Sequence, residues 1–348
     1  MIIHEKYMRR CLELARNGLG STYPNPLVGS VIVYNGDIIG EGWHQRAGES
    51  HAEVNAIKSV KDQSLLPKAT LYVNLEPCSH HGRTPPCADL IIREKIKKVV
   101  IGVVDINEKV KGQGVHRLEK HGVEVISGIL EKECQVLNKR FITFHEKKRP
   151  YVILKWAQSA DAYIFPGDDE LQKGRPIWIS NNFSRQRGHQ WRAQEASILV
   201  GKNTVLQDNP KLNTRDFKGF PILRMAIDKN LEIPDERYIY DGKFDTVIFN
   251  AKKDLTESHV KFVQLDFSNS IVDQMMDYLF QNNIQSLIVE GGAITLNEFL
   301  KAGAWDEARV FCGEMKLGGG IKAPKLDMAV DKEETILNDR LIWYKNSL

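Results

Sequence analysis

The chain has 348 residues, enough for two domains of roughly 150 residues each, and its 42% hydrophobic content can fill two ordinary cores. The 48 basic and 45 acidic residues leave a formal charge of +3, too small for a nucleic-acid footprint, so any positive charge meant for an anionic ligand must be local. No apolar run reaches the roughly 18 residues that span a membrane. The amphipathic start MIIHEKYMRRCLELARNG lacks a signal peptide's apolar core, and five cysteines without disulfide spacing point to a reducing cytoplasm.

Periodicity predicts a helix over about 5–18, with Met8, Leu12 and Ala15 on one face and Gly18 as its stop. Pro24-Asn25-Pro26 is a rigid turn. The β-rich runs 27–34 and 37–43 flank Asn35-Gly36, a strong hairpin signal. A helix over 51–60 and a strand over 69–75 follow, then the loop EPCSHHGRTPP and a helix starting near Cys87. Next come a buried strand at 97–104, a short helix, the strand VEVISGI, and a last helix over 131–145 that runs into the charged segment 146–150. That segment is the expected boundary between domains 1–146 and 150–348. The second half restarts with strands at 151–157 and 177–180, a helix from Asn182, and strands at 197–201, 221–227, 245–250 and 261–266. A helix over 270–282, the strand 286–292, a helix to about 302 and a closing strand at 308–314 complete the pattern. Strands alternating with helices predict an α/β fold with a largely parallel sheet.

The chemistry-bearing set is His51-Ala52-Glu53, Pro77-Cys78 and Cys87. Three nitrogen and thiolate ligands, with a fourth position left for water, describe a catalytic zinc site, and His51, Cys78 and Cys87 supply them. His51 and Glu53 stand about 200° apart around an ideal helix, so both reach one ion only above the helix N-terminus. Pro86 places Cys87 in the first turn of the next helix, where the dipole favours thiolate. Glu53 is then a carboxylate beside the metal, able to take a proton from water and pass it to a ring nitrogen and the leaving ammonia. Each residue alone reads equally well as a helix cap or an apolar core cysteine; the set does not.

This arrangement matches the H-x-E … P-C-x-x-C signature of zinc nucleobase deaminases, except that eight residues separate the two cysteines. The stretch LEPCSHHGRTPPC, with PNPLVGSVIV, GEGWHQRAGESHAEVNA and VDIN, resembles the bifunctional riboflavin-biosynthesis deaminase/reductase family along essentially the whole chain. The resemblance implies a cytidine-deaminase-like three-layer α/β/α domain followed by a dihydrofolate-reductase-like α/β domain. It also implies substrate contacts at Asn25, His44, Ser79, His80, Asp105 and Asn107. The family often reads D-P-N-P where this chain has Asp105-Ile106-Asn107-Glu108. Cys11, Cys134 and Cys312 read as core residues, and His4, His116, His121, His145 and His189 carry no signal.

No G-x-G-x-x-G follows a strand in the second half, so the Rossmann fingerprint is absent. Val289-Glu290-Gly291-Gly292-Ala293 can bring a phosphate to the N–H groups of a helix N-terminus, or can simply be a turn. KWAQSAD, WIS, HQWRAQEASILVGKNTVLQDNPKLNTR and VEGGAITLNEF resemble the reductase half of the same family, which uses NADPH. The resemblance implies cofactor contacts at Gln158, Trp178, Thr204, Asp208, Gly292, Ala293, Ile294, Thr295, Leu296, Asn297 and Glu298. It implies a substrate site at Arg192, Leu212, Arg215 and Glu290. Guanidinium pairs with phosphate through two parallel hydrogen bonds, which suits Arg192 and Arg215 to a substrate phosphate. Lys155 and Glu290 are the candidates for proton donor. The family commonly reads S-L-D-G where this chain has Ser159-Ala160-Asp161-Ala162, and alanine takes a positive φ poorly. The expected activity is zinc-dependent hydrolytic deamination of a phosphorylated diaminopyrimidine, then NADPH-dependent reduction of its ribosyl group. The expected partners are that small-molecule substrate and further copies of the chain, as a dimer or tetramer, with no nucleic acid and no membrane. Three readings compete: a deaminase carrying a degenerate reductase-like domain; a nucleic-acid-editing deaminase, which needs a basic, aromatic-rich face that the near-neutral charge argues against; and a closed zinc module with His80 or His81 as fourth ligand.

Overall fold

The computed structural model describes residues 2–79, 85–105, 112–166, 178–215, 217 and 221–346. The chain divides into two compact units, Met1–Lys148 and Arg149–Leu348.

The first unit runs α1 (Ile2–Arg16), β1 (Gly29–Tyr34), β2 (Asp37–Trp43), α2 (Ala52–Ser59), β3 (Thr70–Leu75), α3 (Cys87–Arg93), β4 (Lys98–Val103), α4 (Gln113–Lys120), β5 (Glu124–Ile126), α5 (Glu131–Leu137) and α6 (Lys139–Lys147). The sheet order is β2-β1-β3-β4-β5, antiparallel around β1 and parallel from β3 to β5. Successive strand residues face opposite sides. Val31, Val33, Tyr72 and Val100 therefore pack with Tyr7, Met8 and Cys11 of α1 and Cys134 of α5. Their neighbours Ile32, Leu71, Val73, Val99 and Ile101 pack with Ala56, Ile57, Ala88, Ile91 and Leu118 of α2–α4. The result is three layers, α/β/α.

The helix expected over 131–145 is two helices, broken at Asn138. That side chain is buried and accepts from Leu27 N at 2.8 Å while donating to Leu27 O at 3.0 Å. Asn74 accepts from Gly29 N at 2.7 Å and also donates to Leu27 O. Two buried amides thus satisfy a backbone stretch that has left the sheet, and they fix the exit of the Pro24-Asn25-Pro26 turn.

The second unit runs β6 (Tyr151–Gln158), β7 (Tyr163–Phe165), α7 (Asn182–Arg192), β8 (Ser197–Gly201), α8 (Lys202–Asp208), β9 (Leu223–Ile227), β10 (Thr246–Asn250), β11 (Leu255–Glu257), β12 (Val260–Gln264), α9 (Ile271–Gln281), β13 (Ser286–Val289), α10 (Ala293–Lys301), β14 (Glu307–Cys312), β15 (Ile321–Lys322), β16 (Lys332–Ile336) and β17 (Asp339–Lys345). Its ten-stranded sheet has the order β11-β12-β10-β9-β8-β13-β6-β14-β17-β16, parallel from β12 to β14 and antiparallel at both edges. Leu154, Met225, Phe249 and Val289 face Met275 and Leu279 of α9 and Leu296 and Phe299 of α10. Ile153, Ile198, Ala226, Ile288 and Phe311 face Trp191 of α7 and Val205 of α8.

Two expectations need correction. Ile177 lies outside the described residues, and Trp178–Ser180 form no strand; they lead instead to Asn181, whose side chain caps α7 by accepting from Ser184 N at 3.0 Å. The sheet also does not close at β14, because β17 returns antiparallel to it and β16 forms the edge. β16 reads KEETI, with charge in place of apolar alternation, as an exposed edge strand requires.

Candidate active sites

His51 is the N-cap of α2, in an extended conformation, and its side chain makes no cap bond, which leaves the ring free to turn outward. Cys78 follows β3, and Cys87 opens α3 behind Pro86. Cys87 N donates to Cys78 Sγ at 3.3 Å and Ala88 N to Cys78 O at 3.1 Å, so the start of α3 grips the Cys78 loop. His51 Nδ1 lies 3.2 Å from Cys87 Sγ and 3.6 Å from Cys78 Sγ. The three ligand atoms all lie within 4.8 Å of one another. One imidazole and two sulphurs at this spacing fit a single zinc ion. The Cys78 thiol is pulled to about 4 by the hydrogen bond from Cys87, with His51 adding to the effect. Glu53 is 3% exposed, and burial, then the Cys78 sulphur, push its carboxyl up to about 7.

His44, 3% exposed, stands edge-on to His51 with ring centres 5.5 Å apart. Its Nε2 lies 3.0 Å from Asn25 Nδ2 and its Nδ1 3.1 Å from Ser50 O, so Asn25 and His44 reach the metal-site wall together. The Ser79 hydroxyl is buried without a hydrogen-bond partner among the described residues, and the Ser79 carbonyl accepts from Arg117 at 3.0 Å. Asp105 is held through its backbone N–H, 3.0 Å from Glu76 Oε2. His80, His81 and Asn107 lie outside the described residues.

In the second unit, Glu290 directly follows β13 and receives the Arg192 fork at 2.8 Å on each oxygen and Lys155 Nζ at 3.2 Å. The three side chains are 9%, 15% and 18% exposed, so the pairing is largely dry. Burial alone would raise the Glu290 carboxyl; the Arg192 and Lys155 cations outweigh it and hold it well below the carboxylate range. The Arg192 fork, suited by its chemistry to a phosphate, is therefore already taken by Glu290. Arg215 is exposed and makes no ion pair among the described residues. The left-handed Leu212 buries its side chain in the core, so only its backbone is on offer.

His189, which carries no sequence signal, belongs to this cluster. Its Nδ1 is 3.4 Å from Asn213 O and 3.5 Å from Arg192 Nη1. Burial, then Arg192 and Arg215, lower its pKa to about 4. One turn of helix links it to Arg192.

Gly292 is the N-cap of α10 and offers no side-chain cap. A Cβ on Gly291 would meet Thr295 Cβ at 2.6 Å and one on Gly201 would meet Thr295 Oγ1 at 2.7 Å, whereas one on Gly292 finds nothing nearer than Thr204 Oγ1 at 3.7 Å. Thr204, Gly292 and Thr295 are therefore brought together beside an open helix N-terminus that fits a cofactor phosphate. Ala293 opens α10; Leu296 points into the core, while Ile294, Asn297 and Glu298 are exposed. Gln158 accepts from Trp156 Nε1 at 2.9 Å. Trp178 is 60% exposed with the Arg185 guanidinium 4.2 Å over its ring, and Asp208 ends α8 at the surface.

The cytidine and deoxycytidylate deaminase zinc-binding region matches residues 1–103, and the RibD C-terminal domain matches residues 150–334. The chain is 41% identical to the riboflavin biosynthesis protein RibD of Actinobacillus pleuropneumoniae, over 90% of this chain and 84% of that protein. It is 41% identical to RibD of Bacillus amyloliquefaciens, over 93% and 88%. The chain belongs to the RibD family. The crystal structure of a diaminohydroxyphosphoribosylaminopyrimidine deaminase/5-amino-6-(5-phosphoribosylamino)uracil reductase from Thermotoga maritima superposes with a TM-score of 0.89 at 35% identity, covering 99% of both chains. As a RibD protein, this chain carries both enzymes of the pair, a zinc deaminase and a nicotinamide-dependent reductase of riboflavin biosynthesis, and the reading with a degenerate second domain falls away. No helix among the described residues is long and apolar enough to cross a membrane.

Proposed function

We propose that the first unit removes the 2-amino group of 2,5-diamino-6-ribosylamino-4(3H)-pyrimidinone 5′-phosphate and that the second reduces the ribosyl group of the deaminated product to ribityl with NADPH. The observation that carries the first step is the His51–Cys78–Cys87 cluster with a buried carboxylate at its side. His51 and the two cysteine sulphurs would hold zinc, which when bound would lower the pKa of water toward neutrality. Glu53 accepts a proton from the attacking water and delivers it to the ring nitrogen; it then takes the second proton from the added hydroxyl as the carbonyl forms and passes it to the amino group, which leaves as ammonia. A carboxyl raised to about 7 suits a group that must both take and give a proton near neutrality. Asn25 and His44 orient the ring against that edge, and Ser79, His80, Asp105 and Asn107 complete the substrate contacts.

In the second unit NADPH supplies the hydride. The open N-terminus of α10 at Gly292, with Thr204 and Thr295 beside it, receives a cofactor phosphate; Gln158, Trp178, Asp208 and the remaining α10 residues as far as Glu298 line the same side. Arg215 takes the substrate phosphate. Glu290 holds Lys155 and Arg192 against the substrate, and Lys155 is the proton donor, because Glu290 is held ionised between two cations.

A coupled assay tests this reading. Ammonia release and NADPH absorbance are followed together on the zinc-loaded protein. Ammonia should appear first and NADPH should then be consumed; Glu53→Gln should lose both signals by at least ~10²-fold and recover NADPH consumption when given the deaminated product. Ammonia without NADPH loss would remove the reductase assignment, and neither signal would remove the substrate.

A further inference from the structure

Glu76 directly follows β3 and leads into Pro77-Cys78, and neither the deaminase signature nor the proposed chemistry uses it. It is 6% exposed. Oε2 accepts from Asp105 N at 3.0 Å and from Gly112 N at 3.0 Å, and Oε1 accepts from Val115 N at 3.0 Å. Among the described residues, one carboxylate therefore holds three backbone amides that follow β4 in the chain. Two of them, Gly112 and Val115, belong to the start of α4, which has no cap of its own and favours a negative charge there. The packing agrees. A Cβ on Gly114 would sit 2.1 Å from Pro77 O, so α4 presses directly on the residue before Cys78. Arg117 of the same helix donates to Ser79 O at 3.0 Å and is paired with Asp89 of α3.

We propose that Glu76 is a positioning residue for the deamination step: it locks Asp105 and the start of α4 to the strand end that carries Cys78, so that the substrate-contact side of the site keeps register with the metal side. A neutral amide cannot replace it, since Gln offers one acceptor oxygen where three N–H groups converge and turns an NH2 toward at least one of them. The metal ligands themselves are held separately, by the start of α3 and by α2, so losing Glu76 leaves the His51–Cys78–Cys87 set in place.

This inference rests on the proposed deaminase reading, and the test separates the two. Full-length, zinc-loaded wild type, Glu76→Gln and Glu76→Asp are compared. Zinc per chain is measured, the backbone amides of Asp105, Gly112 and Val115 are followed by hydrogen exchange, and ammonia release is measured against substrate concentration. The expected result is at least tenfold faster exchange at those three amides in Glu76→Gln, with zinc content unchanged. KM for the diaminopyrimidine should rise about tenfold or more while kcat stays within about threefold, and Glu76→Asp, which keeps the charge on a shorter arm, should recover part of the KM. Unchanged exchange would overturn the clamp whatever the substrate proves to be. Faster exchange with kcat falling and KM unchanged, or with zinc lost in step with activity, would overturn the positioning role. A wild type that releases no ammonia would sink the substrate reading, while the exchange result still decides the clamp.

Discussion

Glu290 shows what burial does to a single carboxylate. Burial works against its charge, and the Arg192 and Lys155 cations outweigh that and hold it ionised well below the usual carboxylate range. Glu290→Gln leaves Lys155 and Arg192 buried without their counter-charge and should cost about 3 kcal/mol at pH 7. A depressed carboxyl stabilises the fold above its unfolded pKa of roughly 4.3 and loses that contribution as pH falls toward the folded value. The gap between wild type and Glu290→Gln should therefore be full at neutral pH and close in acid, as read by urea denaturation of the reductase unit at stepped pH. His189 gives the complementary case. Its pKa of about 4 reflects burial first and then Arg192 and Arg215. Arg215→Ala should move its NMR titration midpoint upward, and so should inorganic phosphate added to wild type; a midpoint unmoved by both would remove Arg215 from the anion site. Residue types and spacing made His51, Cys78 and Cys87 legible, because metal chemistry tolerates few alternatives. His189 and Glu76 were not legible, since a histidine inside a helix and a glutamate at a strand end are ordinary until their three-dimensional partners are seen.

At the scale of elements, the strands and helices with strong periodicity fell within a few residues of their reading, as with β6, which runs one residue beyond the 151–157 expected, to Gln158. The misses have physical causes. Asn138 ends a helix from its middle to satisfy Leu27, and β16 hides as a charged edge. The Ser159–Ala162 turn shows tertiary structure overriding a local preference. Ala162 holds φ +63 although it is not glycine. Asp161 accepts from Ser159 Oγ at 2.6 Å, Leu317 N at 3.0 Å and Gly318 N at 2.8 Å, and Ala162 O accepts from Ala323 N at 2.9 Å. The turn is fixed from outside, so the departure from S-L-D-G keeps the backbone angle and bears the strain. A left-handed alanine costs roughly 1–2 kcal/mol, partly offset by the entropy glycine loses on folding. Ala162→Gly should stabilise the reductase unit by about 0.5 kcal/mol, a melting shift of roughly 1–2 °C, with reductase kinetics unchanged; destabilisation would show that the turn does not need its positive φ. Gly292 asks the opposite question. Its backbone is extended and a Cβ meets nothing closer than 3.7 Å, so Gly292→Ala should fold as wild type does. A methyl there stands where a phosphate approaches α10, and KM for NADPH should rise roughly tenfold. An unchanged KM would move the cofactor elsewhere.

The whole molecule is two cores on one chain. Among the described residues, each buried cluster draws from one unit alone: two from residues up to Leu137 and two from Tyr151 onward. The division falls between Lys148 and Arg149, and Arg149 belongs to the second unit. Its guanidinium pairs with Asp306 at 2.6 and 2.8 Å, and Asp306 also accepts from Val152 N at 2.8 Å, tying the first strand of the reductase unit to the start of β14. These side chains are 15% and 9% exposed, between the limits of a surface pair and a buried one. A chain beginning at Arg149 should therefore fold alone and reduce the deaminated substrate with NADPH at close to the full-length rate. A chain beginning one residue later should be less stable by roughly 1–3 kcal/mol, because Asp306 keeps its backbone bond but loses its cation. Stripping zinc from the full-length protein with a chelator should abolish ammonia release and leave reduction of the deaminated product intact. If the fragment from Arg149 is folded yet inactive while the zinc-stripped full chain still reduces, then residues of the first 148 complete the reductase. If both reduce equally, the second unit carries its whole reductase apparatus, and the first unit is not needed for that reaction.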